Sequence, residues 1–244
     1  MRKTKFINNQ KILNIRYYQK HPKDLNDYYH LFNSNNIKYF ESIKKYLEKT
    51  KSVEGSILEF GTGRGRSTIA ICYLMQELKL EKFFISMDSF SGFNFISDKD
   101  SSYRKIQLGE WAYSPNLKLP YNKKFIQKVL NIHIYKKNFK NVELVKGYVE
   151  VKLQELIKRI KKISFINLDV DLYSGHKAIL SHCWDKLSIN GMIYCDDIIP
   201  DLKDPPFPGA YLAYKEFFKN KKKQIKVYKC PYRKNLIIKK ISSY

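Results

Sequence analysis

The chain alternates short apolar runs with longer stretches of helical spacing. Ser56–Phe60 reads as a strand, Gly61–Ser67 as a turn, and Thr68–Leu78 as a helix with Ile69, Cys72 and Met75 on one side. The alternation then repeats. Strands are predicted over Phe83–Asp88, Val142–Gly147 and Ile163–Leu168, and a shorter one over Met192–Cys195 after a turn at Ser188–Gly191. Helices are predicted over Asn122–Asn138, Val149–Ile160, Gly175–Leu187 and Ala210–Lys219. Ile225–Tyr228 and Leu236–Ile241 read as a closing antiparallel pair. Strands alternating with helices predict an α/β protein with a mostly parallel sheet covered by helices on both faces. There is no internal repeat. Ahead of this lies a helix over Ile37–Leu47, set off by a break at Asn33–Asn36 from a shorter helical stretch at Tyr28–Phe32. Residues 1–50 are therefore expected to form a helical extension that packs on the core or makes an oligomer contact, and 51–244 a single domain. The long polar segment 89–120 carries Tyr103, Arg104, Trp111 and Tyr113. It is either a lid or substrate loop, or an insertion with a few aromatics pinned down.

Chemistry concentrates where two of the strands end. Asp169 and Asp171 follow Ile163–Leu168, and Asp196 and Asp197 follow Met192–Cys195. Neighbouring parallel strands open at their carboxyl ends into one crevice, so four acids would share a rim. Unpaired, they would repel and be costly to desolvate. A hard divalent cation resolves this, because Mg²⁺ takes oxygen ligands and keeps waters that a substrate can displace. The plainer reading of each Asp is an N-cap of the next helix. The turn Gly61-Thr62-Gly63-Arg64-Gly65-Arg66-Ser67 joins a strand to a helix, where a ligand can meet free backbone N–H groups. Arg66 stands where a dinucleotide fingerprint wants its last glycine, and Glu59 stands in front. That departure argues against NAD and towards S-adenosylmethionine, which has no pyrophosphate. Asp88 ends the second strand a little farther on than the ~20 residues at which an acid meets a ribose diol. It reads otherwise as a turn residue bonding its own backbone.

Composition narrows the rest. The chain has 244 residues, 43% of them hydrophobic, which suits one α/β domain with a full core. No apolar run approaches the ~20 residues of a membrane span, and no secretory h-region follows the basic start. Cys72, Cys183, Cys195 and Cys230 are scattered without a C-x-x-C pair, which fits reduced thiols in a cytoplasmic protein and gives no zinc pattern. The formal net charge is +23. Such a charge is compatible with nucleic acid or another polyanion. However, Lys is dispersed along the whole chain, Arg is scarce, and Asn, Ile and Tyr are abundant, as an AT-rich genome would write. The expectation is solvated basic faces and no specific nucleic-acid partner.

Several of these residues carry a family resemblance. Leu58 to Gly65 (LEFGTGRG), Asp88 to Phe93 (DSFSGF), Lys146-Gly147-Tyr148, Leu168 to Tyr173 (LDVDLY), Cys195-Asp196-Asp197 and Gly209 to Phe217 (GAYLAYKEF) stand in the order found in the macrocin O-methyltransferase family. The chain resembles that family over roughly residues 57–217. The resemblance implies a Rossmann-like class I methyltransferase fold with a seven-stranded, mostly parallel sheet. It implies an S-adenosylmethionine-dependent enzyme, assisted by Mg²⁺, that methylates a hydroxyl of a sugar, glycan or natural-product intermediate; apart from the resemblance, a homodimer is expected. It further implies Mg²⁺ at Asp169, Asp196 and Asp197, Asp171 as general base, and Asp88 with Ser89 at the ribose. Glu59, Gly61, Thr62, Gly63, Gly65 and Ser67 would hold the methionine part of the cofactor, and Gly147 and Tyr148 would lie near the adenine. Ser174 and His176 depart from the family pattern, as does the Asp-Pro-Pro-Phe-Pro run at 204–208. An RNA methyltransferase and a non-catalytic nucleotide-binding protein on the same fold are the alternatives. The four acids count against the second, since a scaffold has no reason to bear their repulsion.

Overall fold

The structure is a computed structural model that describes residues 34–112, the positions Lys123, Lys124, Ile126, Gln127 and Leu130, and residues 141–243. The expected helix at Tyr28–Phe32, the far end of the long loop with Tyr113, and most of the helix at 122–138 lie outside the described residues. Among the latter's few described positions, the backbone is helical and Ile126 and Leu130 are buried.

The described elements are α1 (Ser34–Lys49), β1 (Ser56–Phe60), α2 (Arg66–Glu77), β2 (Phe84–Asp88), β3 (Val142–Lys146), α3 (Val149–Lys158), β4 (Ile163–Leu168), α4 (Tyr173–Cys183), β5 (Leu187–Cys195), α5 (Pro208–Phe218), β6 (Ile225–Lys229) and β7 (Leu236–Lys240). The seven strands form one sheet in the order β3-β2-β1-β4-β5-β7-β6. Neighbours from β3 to β5 run parallel; β7 runs antiparallel to both β5 and β6. This is the mostly parallel sheet with a closing antiparallel pair that the hydrophobic pattern predicts. β4 is buried at all six positions, as a central parallel strand covered on both faces must be.

Strand alternation divides the core in two. Ile57 faces α1 and α2, where Tyr39, Ile43, Leu47, Ile71 and Met75 pack with Phe165, Tyr194 and Ile237. Leu58 and Phe60 face α3, α4 and α5, where Leu153, Leu156, Ile179, Leu180 and Ala210 pack with Ile166 and Leu168. Thus α1 is part of the core of the domain.

One boundary differs from expectation. Ser188–Gly191 is not a turn between a helix and a strand; it lies inside β5. Leu187 pairs with Ile163 and Met192 with Phe165, so the intervening residues bulge out opposite Ser164. Asn190 takes a left-handed conformation (φ 67°) in that bulge. Turn-forming residues mark a local excursion, and long-range pairing on either side keeps the strand continuous.

The order of strands reverses between β1 and β4. Carboxyl ends of strands beside such a reversal are where α/β sheets bind ligands. Here those ends carry the Gly61 turn and Asp169.

Candidate active site

The two loops are locked together at close range. A Cβ on Gly61, whose φ is +98°, would come within 1.7 Å of the Asp169 carbonyl oxygen. Only glycine allows that approach. Gly65 (φ +79°) precedes α2, and a Cβ there would press on Ile126. It serves packing, and it does not line the cavity. A cavity of about 310 Å³ opens over the carboxyl ends of the strands, lined by Gly61, Thr62, Gly63, Ser67, Asp88, Ser89, Gly147, Tyr148, Asp169, Asp171 and Asp196 among others. The structure therefore brings together the loop after β1, the end of β2, the β3–α3 turn and the acidic rim.

Glu59, like Gly65, is an expected cofactor residue that stays away from the cavity. Alternation turns it into the core, fully buried, where it accepts hydrogen bonds from Thr68 Oγ1, Ser86 Oγ (2.5 Å) and Asn167 Nδ2 (3.2 Å). Burial raises its pKa, and hydrogen bonds led by Ser67 and Ser86 oppose that rise. Its work is to hold β1, β2, β4 and the start of α2 together beneath the turn.

Asp88 lines the cavity but is also bound to its own loops. Gly63 N–H donates to Oδ2 at 2.8 Å and Phe90 N–H to Oδ1 at 2.6 Å. Burial pushes its carboxyl up, while the backbone N–H groups of Gly63, Phe90 and Thr62 pull it down. The turn reading is met by these two bonds. Asp88 closes the turn and also lines the cavity.

The acidic rim is built by the ends of two strands, β4 and β5. Asp169, Asp196 and Asp197 each offer one oxygen, all within 4.8 Å of one another. Asp197 Oδ2 accepts from Val170 N–H (3.2 Å) and Asp171 N–H (2.9 Å) and lies 3.0 Å from His176 Nε2. Asp196 Oδ1 is paired with Arg233 from the β6–β7 turn. So Asp196 and Asp197 are each held through one carboxylate oxygen by the surrounding protein. An oxygen-only donor set of this kind fits a hard cation such as Mg²⁺.

Asp171 reaches the rim by a route that strand alternation does not predict. The chain leaves β4 at Leu168 and turns tightly, with Leu172 N–H donating to the Val170 carbonyl at 2.6 Å and Asp171 at φ 61°. The turn, rather than extended geometry, aims Asp171 into the cavity beside Asp197. Burial raises the pKa of Asp171 first, then the charge of Asp197; Arg104 opposes. Asp169 is also pushed up, by burial and then by Asp196 and Asp197.

Three contributors were not singled out from sequence as site residues. His176 is fully buried beneath Asp197, and its Nδ1 has no hydrogen-bond partner. It was visible only as a departure from the family pattern. Asp100 is buried in the loop after β2, where its Oδ1 accepts from Tyr173 N–H at 2.8 Å and its Oδ2 from Ser97 Oγ at 2.8 Å. The same Oδ1 lies against Gly209 at the mouth of α5, leaving no space for a side chain there. One carboxylate thus clasps the loop to the starts of two helices. Arg104 lies 5.2 Å from the Trp111 ring centre and 4.7 Å from that of Phe207, and pairs with Glu110. The described part of the long loop is therefore pinned to the domain, and Phe93, Phe95 and Trp111 wall the cavity.

A family profile described as "Macrocin-O-methyltransferase (TylF)" matches residues 34–223. The chain belongs to that family. It is thereby an O-methyltransferase that uses S-adenosylmethionine. No curated protein matches it by sequence. Among solved structures this methyltransferase is similar to the O-methyltransferase NovP (18% identity, 84% of this chain and 81% of that one, TM-score 0.66). It is also similar to the calicheamicin methyltransferase CalS11 (18% identity, 96% and 95%, TM-score 0.73). An apo structure of CalS11, named there a TDP-rhamnose 3'-O-methyltransferase, matches with 18% identity over 84% and 79% and a TM-score of 0.61. At that identity the likeness shows the fold.

Proposed function

We propose that this methyltransferase moves the methyl group of S-adenosylmethionine onto a hydroxyl of a sugar, glycan or natural-product intermediate, with Mg²⁺ held by Asp169, Asp196 and Asp197. The observation that carries this reading is the meeting of those three carboxylates beside Asp171, at one end of the cavity that the glycine turn lines. A bound Mg²⁺ would supply Lewis acidity, lowering the pKa of an acceptor hydroxyl and offsetting the charge of the rim.

The chain's own groups do the rest. Gly61, Thr62, Gly63 and Ser67 receive the methionine part, Asp88 and Ser89 the ribose, and Gly147 and Tyr148 border the adenine. Asp171 accepts the hydroxyl proton while the oxygen bonds to the methyl carbon and the methyl–sulfur bond breaks, its electron pair remaining on sulfur. The pinned loop excludes water and sets the acceptor in line, and placement of this kind supplies much of the rate in a displacement. Phe93, Phe95 and Trp111 present aromatic faces suited to the apolar side of a sugar ring. The CalS11 name makes sugar nucleotides the first class to try.

Calorimetry with S-adenosylhomocysteine tests the cofactor half. Binding should weaken roughly ten- to a hundred-fold in Asp88→Ala, which loses both ribose bonds and turn closure. Preference for NAD would refute the assignment. Mass spectrometry of sugar nucleotides and glycans incubated with protein and S-adenosylmethionine should then show the mass of one added CH₂.

A further inference from the structure

We infer that Arg233 is the standing counter-cation of the acid trio: it keeps the metal-free site folded, and a divalent ion binds against its charge. The metal half of this inference rests on the Mg²⁺ reading above.

Arg233 comes from the tight turn between β6 and β7, far in sequence from every acid it serves. The antiparallel pairing of Leu236 with Cys195 brings that turn to the carboxyl end of β5. There Arg233 Nη1 pairs with Asp196 Oδ1, and the guanidinium lies 5.1 Å from the ring centre of Tyr39 on α1. Only 26% of the Arg233 side chain and 17% of that of Asp196 are exposed, so solvent screens the pair weakly.

The Asp196 backbone is placed without Arg233. The Asp196 N–H donates to the Leu168 carbonyl at 2.9 Å, and Asn235 Nδ2 donates to the Asp196 carbonyl. These two bonds hold the Asp196 backbone from both sides without the arginine. What Arg233 contributes is charge. Buried carboxylates left without a cation are strongly destabilising, and one guanidinium balances only part of three. The remainder leaves room for a divalent ion.

Two roles make opposite predictions. A side chain that merely orients a ligand weakens metal binding when removed. A side chain that supplies competing charge tightens it. The test uses full-length protein stripped with EDTA, without cofactor or acceptor. Thermal unfolding reads stability, and Mn²⁺ titration followed by electron paramagnetic resonance reads metal affinity. Arg233→Gln should unfold at lower temperature in EDTA yet bind Mn²⁺ roughly tenfold more tightly, the scale for a unit charge removed a few ångströms away. Arg233→Lys should restore much of the EDTA stability. The double variant Arg233→Gln/Asp196→Asn, in which both charges are gone, should do the same, so a folding defect of the single variant does not end the test. Unchanged stability and unchanged Mn²⁺ binding in Arg233→Gln would overturn the inference. Weaker Mn²⁺ binding would also overturn it, in favour of ligand orientation. Failure of the wild type itself to bind Mn²⁺ would overturn the metal reading, while the EDTA stabilities would still decide whether Arg233 balances the acids.

Discussion

At the scale of single residues, the rim separates two kinds of acid that look alike in sequence. Asp169, Asp196 and Asp197 share one focus, whereas Asp171 stands beside it on a left-handed turn whose N–H is held by Asp197. The two kinds should separate on mutation. Asn at 169 or 196 weakens a metal site, so excess Mg²⁺ should restore part of the methyl transfer. Asn at 171 leaves the site in place and removes the proton acceptor, with a loss of ~10²–10⁴-fold that added Mg²⁺ does not repair. Full turnover in EDTA would refute the first statement, and unimpaired turnover by Asp171→Asn the second. Asp pairs after two strands made the rim legible in sequence. His176 and Arg233 were not legible as partners. Their roles arise from residues distant along the chain, and nothing marks one arginine in a chain with 46 basic residues.

At the scale of elements, the loop after β2 decides whether the cavity has a wall. Its anchor is Asp100, which accepts from the buried N–H of Tyr173 at the start of α4 and abuts Gly209 at the start of α5. Around it, Lys99 Nζ bridges to Tyr173 Oη (2.9 Å) and Glu216 (2.6 Å). Asp100→Ala removes a helix cap and a loop tie together and should cost about 1–3 kcal/mol in denaturant unfolding. Hydrogen exchange should show protection lost over residues 97–112, and the acceptor KM should rise more than the S-adenosylhomocysteine Kd. Equal protection in variant and wild type would remove the clasp from this account. Sequence left the loop open between lid and insertion, because no periodicity shows which side chains fold back on the domain. The opposite holds for α1, whose apolar spacing at Ile43 and Leu47 reports the face it buries. Ile43→Ala should cost ~2–5 kcal/mol, as a core truncation does, whereas a loosely attached extension would lose almost nothing.

At the scale of the whole molecule, charge acts in two ways. Most of the +23 excess is written in lysines dispersed along the sequence, and among the described residues Asp169, Asp196 and Asp197 gather into an acidic cluster. Binding to RNA should therefore be weak and unselective at ~0.15 M salt, where exposed contacts are screened. Submicromolar, structure-selective binding there would bring back the RNA methyltransferase alternative. The acidic focus also makes stability depend on pH. Burial, as the leading cause, holds Asp169, Asp171 and Asp196 above the ordinary carboxylate range. Each holds its proton more tightly folded than unfolded. Its penalty is therefore absent below the unfolded value and grows as pH rises towards and through the raised folded value. In EDTA at neutral pH, Asp169→Asn should be more stable than wild type by on the order of 1 kcal/mol, since relieving a functional site commonly stabilises. The gap should shrink on acidification and reverse in saturating Mg²⁺. A constant gap in thermal unfolding across pH would refute this. Among the described residues no helix is long and apolar enough to cross a membrane.

The sequence by itself determined the strands, most of the helices, the direction of the sheet and the identity of the acids. These follow from local apolar periodicity and from carboxylates placed directly after buried strands. Tertiary structure alone decided which of these residues meet. Hydrogen bonds from Thr68, Ser86 and Asn167 closed Glu59 into the core although it stands beside the glycine turn. Strand pairing made Ser188–Gly191 a bulge within β5. The antiparallel return of β7 carried Arg233 to Asp196, and a buried carboxylate at position 100 closed the loop over the site. Each of these depends on contacts between distant segments, whose geometry the order of residues along one segment does not contain.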